Sequence, residues 1–222
     1  MSDAHARVFL DANVIAKPVT RTLLMFAADL SDYSVLWSAY AEAEADRHLV
    51  GPKKPASAVR EKAGQGLSPS GDDAVRFSRT STKDQQILAD AVAGGAQFII
   101  TEDVDDFFPD DLSAAGVAAV NPDLFLAVRT TPVGYLMALT MMSNVLSKPH
   151  RSPQELHVRL GRQHPRTVVA HKDVFAEAPS PPTHGPPAVL FRGTRCLRCL
   201  KVDKFLSLGI CKGCQAGPTG IA

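Results

Sequence analysis

Arg7-Val8-Phe9-Leu10-Asp11-Ala12-Asn13 is the stretch that decides the fold. Its apolar run is too short for a helix and does not alternate, as suits a strand buried on both faces. It ends by delivering Asp11 at its carboxyl end. Working outward, Pro18 opens a helix over 18–30 with Leu23, Leu24, Phe26, Ala27 and Leu30 apolar. Residues 34–37 form a second strand, and Ser38 caps a helix over 39–49 that Gly51-Pro52 stops. Residues 51–82 are rich in Gly, Pro, Ser and Lys and predict a long loop, with short helices near 56–63 and 72–78. Ser81 or Thr82 can cap a helix over 83–93, whose face is Ile87, Leu88, Ala91 and Val92 and whose end is Gly94-Gly95. Residues 97–100 make a third strand, leading into Thr101-Glu102-Asp103, and 116–120 a fourth. Asn121-Pro122-Asp123 then caps a short helix to about Val128. Strands alternating with helices predict an α/β fold, a central parallel sheet with helices on both faces. Ligands bind such sheets outside the carboxyl ends of the strands, where Asp11 and Asp103 fall.

The bulk numbers suit one domain with a small appendage: 222 residues, 45% hydrophobic and 21% charged. The segmentation is 1–130 for the α/β domain, 131–176 for a helical extension, 177–190 for a Pro-rich linker and 191–222 for a cysteine module. The net charge of +1 is unevenly spread, with residues 1–130 at −7, 131–190 at +3 and 191–222 at +5. An acidic domain meets a nucleic acid best if its carboxylates surround a divalent cation; a merely solvated acidic surface gives the same composition. No apolar run near the N-terminus suggests a signal peptide, and no uncharged stretch reaches the roughly 18 residues of a membrane span. The expected setting is therefore cytoplasmic, without a membrane partner. Residues 135–145 are short enough to be a core helix.

Four acidic positions can converge: Asp11 after the first strand, Glu44 on the second helix, Asp84 opening the next long helix, and Asp103 after the third strand. Asp84 shares a helical face with Ile87, Leu88 and Ala91, and a carboxylate at the end of a core-facing stripe is costly unless it is paired or bound to a cation. Packed carboxylates repel, which makes a divalent ion their natural partner, and hard oxygen ligands suit Mg2+ or Mn2+. Such an ion can orient water and neutralise charge on a phosphate. Any one of these residues taken singly also fits a cap or a turn. Glu42 competes with Glu44, because the two flank the Ala41/Ala45/Leu49 stripe from opposite sides. Asp105 and Asp106 suit surface or capping roles.

Val-Phe-Leu-Asp-Ala-Asn at 8–13, Trp-Ser at 37–38 with Glu44 six residues beyond Ser38, Lys-Asp at 83–84 and Ile-Thr-Glu-Asp-Val-Asp-Asp-Phe at 100–107 resemble the PIN domain. Their order is similar to the branch containing the toxins of bacterial VapC-type toxin–antitoxin pairs. The resemblance covers roughly residues 7–128, and the helical stretch 132–175 looks like an extension that some of these toxins carry. It implies a PIN-like three-layer fold, Mg2+ or Mn2+ ligands at Asp11, Glu44, Asp84 and Asp103, and support by Asn13 and Thr101. It favours Glu44 over Glu42 and gives Asp106 a mainly structural part. The implied activity is metal-dependent endoribonuclease cleavage of RNA, with a small antitoxin protein as partner and a homodimer as a common state. A PIN domain followed by a zinc ribbon also resembles the arrangement of ribosome-maturation nucleases, and a non-catalytic RNA- or protein-binding adaptor is the remaining alternative.

The departure from ordinary toxins is the C-terminal module. Cys196-x-x-Cys199 and Cys211-x-x-Cys214 lie close together in sequence, the spacing of a closed four-thiolate Zn2+ site, structural rather than catalytic; redox thiols are the alternative. Gly209 and Gly213 allow the tight turns. Arg192, Arg195, Arg198, Lys201, Lys204 and Lys212 surround the cysteines and suit either RNA phosphates or packing against protein. Phe191 and Phe205 suit stacking on bases as the alternative, but core packing is the expectation for both. His150, His157, His164 and His171 recur every seven residues, but Pro153 and Pro165 prevent a single helix from aligning them, so the spacing is taken as coincidence.

Overall fold

The computed structural model describes residues 5–49, 54–64, 66–145, 150–175, 181–183, 185 and 189–216. Its centre is a five-stranded sheet. Strands β1 (Ala6–Leu10), β2 (Tyr33–Leu36), β3 (Phe98–Ile100) and β4 (Ala118–Val120) run parallel, and β5 (Phe191–Arg192) joins β4 antiparallel, in the order β2-β1-β3-β4-β5. The sheet is therefore mixed, with an edge strand contributed by the start of the cysteine module. Val8, Phe9, Leu10 and every residue of β3 and β4 are fully buried, so the inner strands are covered on both faces.

Leu10 lies opposite Ile100, and Ile100 opposite Val120, so three strands end level. The chain leaves them along one edge. Asp11 N donates to Ile100 O at 3.1 Å, Thr101 N to Val120 O at 3.1 Å and Asn121 N to Leu190 O at 2.9 Å. From β1 the next strand in sequence lies on one side and β3 on the other, which makes the crevice between β1 and β3 the switch point of the sheet.

Helix α1 (Ala12–Ile15) follows β1 at once and was not foreseen; Asp11 caps it through its own carboxylate. Helix α2 (Pro18–Ala27) begins on proline but stops before residue 30, because Ser31 N donates to Ala28 O and Asp32 takes a φ of +52° to turn the chain into β2. Helix α3 (Ala39–Arg47) has the expected cap, Ser38 Oγ accepting from Ala41 N at 3.2 Å. Helix α4 (Ala56–Lys62) is one of the two short helices expected in the long loop, whereas 72–78 forms only a 3-10 turn at Ala74–Arg76. Residues 50–53 and 65 of that loop lie outside the described residues. Helix α5 (Asp84–Ala93) lacks the expected side-chain cap. The Ser81 carbonyl accepts from Asp84 N and Gln85 N, while the Ser81 hydroxyl turns to the Asp84 carboxylate. Helix α6 (Pro109–Ala115) was missed; it runs from a proline to Gly116, which ends it at φ +68°. Helix α7 (Pro122–Arg129) is capped by Asn121 as expected.

Beyond α7 come α8 (Pro132–Val145), α9 (Pro153–Leu160) and α10 (Pro165–Ala170), each opened by a proline, with α8 against α2 and α10 against α7. The sequence reading of two helices over 132–160 matches α8 and α9, and α10 is additional. Lys148-Pro149, where the sequence separates those two helices, and most of the Pro-rich stretch 177–190 lie outside the described residues. No helix among the described residues is long and apolar enough to cross a membrane.

His157, His164 and His171 are all buried, whereas His150 is exposed. The Tyr135 hydroxyl and His157 Nδ1 share a hydrogen bond at 3.0 Å, and the His171 ring stacks on Tyr135 with centroids 4.4 Å apart. Among the described residues, neither ring nitrogen of His171 has a hydrogen-bond partner. Burial, with His157 adding to it, lowers the His171 pKa to about 4. The unfolded chain thus binds this proton more tightly than the folded one. Stability is intact above about pH 6.5 and declines as pH falls towards 4, by up to about 3 kcal/mol. His171→Phe keeps the stack and removes the titration, so thermal unfolding across this range should show a flatter acid limb in the variant. An unchanged acid limb would mean that His171 does not titrate on unfolding.

Candidate carboxylate and cysteine metal sites

The crevice between β1 and β3 carries the carboxylates. Asp11 is buried, and its carboxylate accepts three hydrogen bonds from the described residues. Ala12 N reaches Oδ1 at 2.6 Å, and Thr101 Oγ1 and Asn13 Nδ2 reach Oδ2 at 2.7 and 2.8 Å. Asn13 Nδ2 also donates to Thr101 Oγ1 at 3.0 Å and to Asp103 Oδ2 at 3.1 Å, and Asp103 N donates to Thr101 Oγ1 at 3.1 Å. Asn13 and the fully buried Thr101 therefore fasten Asp11 to Asp103 across the two strands.

Burial raises the Asp11 pKa to about 7. The Thr101 hydroxyl and the Ala12 N–H oppose this, while the charges of Asp84 and Glu44 add to it. Asp84, half-buried, is raised by burial and by Asp106, Glu44 and Asp103, against the Ser81 hydroxyl. These influences bring all four expected positions into one field: Asp11 on the floor, Glu44 and Asp84 half-exposed on the walls, Asp103 at the exposed rim. The arrangement is more open than a closed metal cage. Among the described residues, the four cysteines are the one group whose ligand atoms all lie within 4.8 Å of each other.

The structure separates Glu42 from Glu44. Glu42 is buried, accepts from Trp37 Nε1 at 2.9 Å and pairs with Arg60 at 2.8 Å, so its carboxylate is used in packing. Glu44 faces Asp11 and Asp84 electrostatically. Glu42→Ala is expected to cost about 1–3 kcal/mol through the stranded Trp37 N–H. Glu44→Ala should leave thermal stability within about 0.5 kcal/mol of the parent while weakening divalent-cation binding. Paired melts with and without Mg2+ measure both, and the reverse pattern would exchange their roles.

Sequence reasoning missed Asp106 as part of the site. It follows Asp103 by one 3-10 turn, and it is the carboxylate that acts most strongly on Asp84. Its own pKa is raised by partial burial, Asp103 and Asp105, and lowered by Lys83 and Arg192. The three-residue step from Asp103 was the available signal.

The cysteine cluster is compact. Cys199 Sγ and Cys211 Sγ are 3.7 Å apart. Four sulfurs each about 2.3 Å from one Zn2+ would be about 3.8 Å apart, so the cluster fits a tetrahedral ion. Burial of Cys196 works against ionisation but is outweighed by N–H groups of Cys199, Cys211 and Arg198, which lower its pKa to about 7. Burial and the neighbouring sulfurs raise Cys214. Four thiolates in contact thus need a dication to ionise together. Gly209, at φ +74°, turns the hairpin of β6 (Leu206–Ser207) and β7 (Ile210–Cys211), and α11 (Lys212–Gln215) carries Cys214.

The module is fastened to the sheet. Arg195 donates to Gly116 O through Nε and Nη2 at 2.9 and 2.8 Å. Arg192 Nη1 donates to Asp105 O at 2.9 Å and Phe107 O at 3.2 Å. From the main domain, the buried Arg129 donates to Leu197 O, Arg198 O and Asp32 O. Gly193, at φ +130°, lies where a Cβ would be 2.6 Å from Ala118 Cβ. Arg192 and Arg195 therefore serve packing, whereas Lys201, Lys204 and Lys212 are exposed. Phe191 is half-buried in β5 as a packing residue, but Phe205 is 86% exposed, contrary to the core role expected of it. It lies just before the short β6–β7 hairpin, in a module with little interior of its own.

No family model matches the chain, and comparisons with curated proteins and with solved structures return no match.

Proposed function

We propose that this chain is a metal-dependent endoribonuclease of the PIN type, hydrolysing RNA phosphodiester bonds with Mg2+ or Mn2+ held by Asp11, Glu44, Asp84 and Asp103. The observation that carries the reading is the convergence of carboxylates from separate elements at the sheet's switch point, where the charges that weigh most on Asp11 are other carboxylates. All-oxygen donors of this kind fit a hard divalent cation. A bound ion of this class supplies charge neutralisation at a phosphodiester and activation of water. The chain's residues supply the rest. Thr101 and Asn13 fix the direction of Asp11, Asn13 tethers Asp103, and Ser81 holds Asp84. Asp106 adds negative charge at the rim, which strengthens cation capture.

The motif order supports the role of toxin in a toxin–antitoxin pair, with the antitoxin as protein partner and RNA as substrate. The docked cysteine module favours a second role, that of an RNA-processing nuclease, in which a zinc-bearing module helps to hold a defined RNA. Total cellular RNA incubated with zinc-loaded protein should give discrete fragments with Mg2+ or Mn2+ and none without them, and Asp103→Asn should abolish them. Folded protein that cuts nothing under any of these conditions would move the assignment to an RNA- or protein-binding adaptor. Growth arrest on expression, lost in Asp103→Asn, separates toxin from processing enzyme.

A further inference from the structure

A groove of about 920 Å³ runs from the rim of the carboxylate site to the cysteine module. Lys17, Glu102 and Asp103 lie at one end, and Arg198, Leu208 and Ile210 of the module at the other. We propose that this groove binds a single-stranded segment of the RNA adjoining the scissile phosphate. The inference rests on the nuclease reading for what happens at the carboxylate end, but the binding itself is separable from cleavage.

Charge points to a polyanion. Arg162, Arg166 and Arg198 line the wall, Arg198 also donating to Cys214 O at 3.2 Å. The acid among them, Asp123, has its charge committed inside the protein. Its Oδ2 accepts from Arg166 N at 3.0 Å, and its Oδ1 from Thr167 N and Thr167 Oγ1 at 2.9 and 2.8 Å. Lys17 at the near end is paired with Glu102. Beyond the Lys17–Glu102 pair and Asp103, the charged side chains of the lining are thus arginines and a hydrogen-bonded Asp123, as a strand leaving a negatively charged centre requires.

The rest of the wall is apolar. Val128, Val169 and Leu208 line it, and Val169 and Leu208 are 59% and 54% exposed. Apolar faces between arginines suit unstacked bases and their phosphates together, the pattern of single-strand recognition. The volume is at the upper end of ligand-sized cavities, with room for about two or three nucleotides. An A-form duplex presents a broad convex surface that such a groove does not match.

The test is fluorescence anisotropy with the full zinc-loaded chain and a short labelled single-stranded oligoribonucleotide, without added Mg2+ or Mn2+, over a salt series. Combined Arg162→Ala and Arg166→Ala should raise Kd about tenfold and make the salt slope shallower by about 1.4, the value for two phosphate contacts on a single strand. Val169→Glu, at an exposed position, should weaken binding by about tenfold as well, because it places a carboxylate among the phosphates. Under cleavage conditions both variants should raise KM and spare kcat. Parent-like Kd and slope in both variants overturn the groove, as does equal competition by duplex RNA. Loss of acidic-peptide binding in the variants, with RNA binding unchanged, assigns the groove to a protein partner and also overturns it. If the variants lose RNA binding but no protein cleaves RNA with Mg2+ or Mn2+, the groove stands and the nuclease reading falls. If the variants bind and cleave RNA as the parent does, the nuclease stands and the groove falls.

Discussion

Cys196→Ser is expected to lower the thermal midpoint of the whole protein by about 10 °C and to abolish zinc retention. The reason is that the module is not an independent bead. Its first two residues in the sheet, Phe191 and Arg192, form β5 against β4, and Leu197 is fully buried in the main core. Arg129 is itself buried and sends donors to Leu197 O and Arg198 O. If the cluster cannot close around its ion, those acceptors leave, and a buried guanidinium loses partners at a cost of several kcal/mol. The damage reaches the carboxylates too. Arg192 holds the carbonyls of Asp105 and Phe107, on either side of Asp106 and close after Asp103. Cation affinity at the carboxylate site is therefore expected to fall together with zinc content. Metal analysis, differential scanning calorimetry and Mn2+ titration of the variant measure the three effects. A variant that melts like the parent, from a parent that purifies without zinc, would leave the cysteines as plain thiols.

Asp11→Asn is expected to reduce RNA cleavage by about a thousandfold or more while leaving the fold intact. Asp11 is the buried member of the cluster, oriented by Thr101, Asn13 and the Ala12 N–H, so no neighbouring carboxylate can take its place. Its pKa of about 7 sets the pH dependence. Below that value a cation must displace a proton from Asp11, so Mg2+ affinity should fall about tenfold for each pH unit under 7 and level off above it. The linkage to folding has the same sign. Asp11 holds its proton more tightly in the folded protein than in the unfolded chain, so the metal-free protein loses stability as pH rises from about 4 to about 7. Asn at this position removes that loss, and Mg2+ offsets it in the parent. Calorimetry of both proteins across this range, with and without Mg2+, should show curves that differ most at the alkaline end. Parallel curves, or full cleavage by Asp11→Asn, would remove Asp11 from the site.

The sequence by itself determined the alternation of strands and helices and hence the parallel core of the sheet. Apolar runs such as Val8 to Leu10 and Phe98 to Ile100 have no amphipathic alternative and must be buried on both faces. It determined the local stops and starts where a single residue type dictates the backbone, as with Ser38 and Asn121 as caps. It also placed Asp11 and Asp103 on one edge, since parallel strands deliver their carboxyl ends together. The tertiary structure decided what periodicity leaves degenerate. Glu42 and Glu44 flank the same helical stripe, and only the positions of Trp37 and Arg60 commit Glu42 to packing. Asp106 joined the carboxylates because a 3-10 turn sets its charge against Asp84; the three-residue step from Asp103 hints at the turn, but which neighbour the turn faces is decided by packing. Arg192 and Arg195, ordinary basic residues beside a cysteine cluster, became clamps because β5 pairs with a strand more than seventy residues earlier. Contacts across such separations depend on how finished elements pack against one another, and a local pattern of residues holds no record of that.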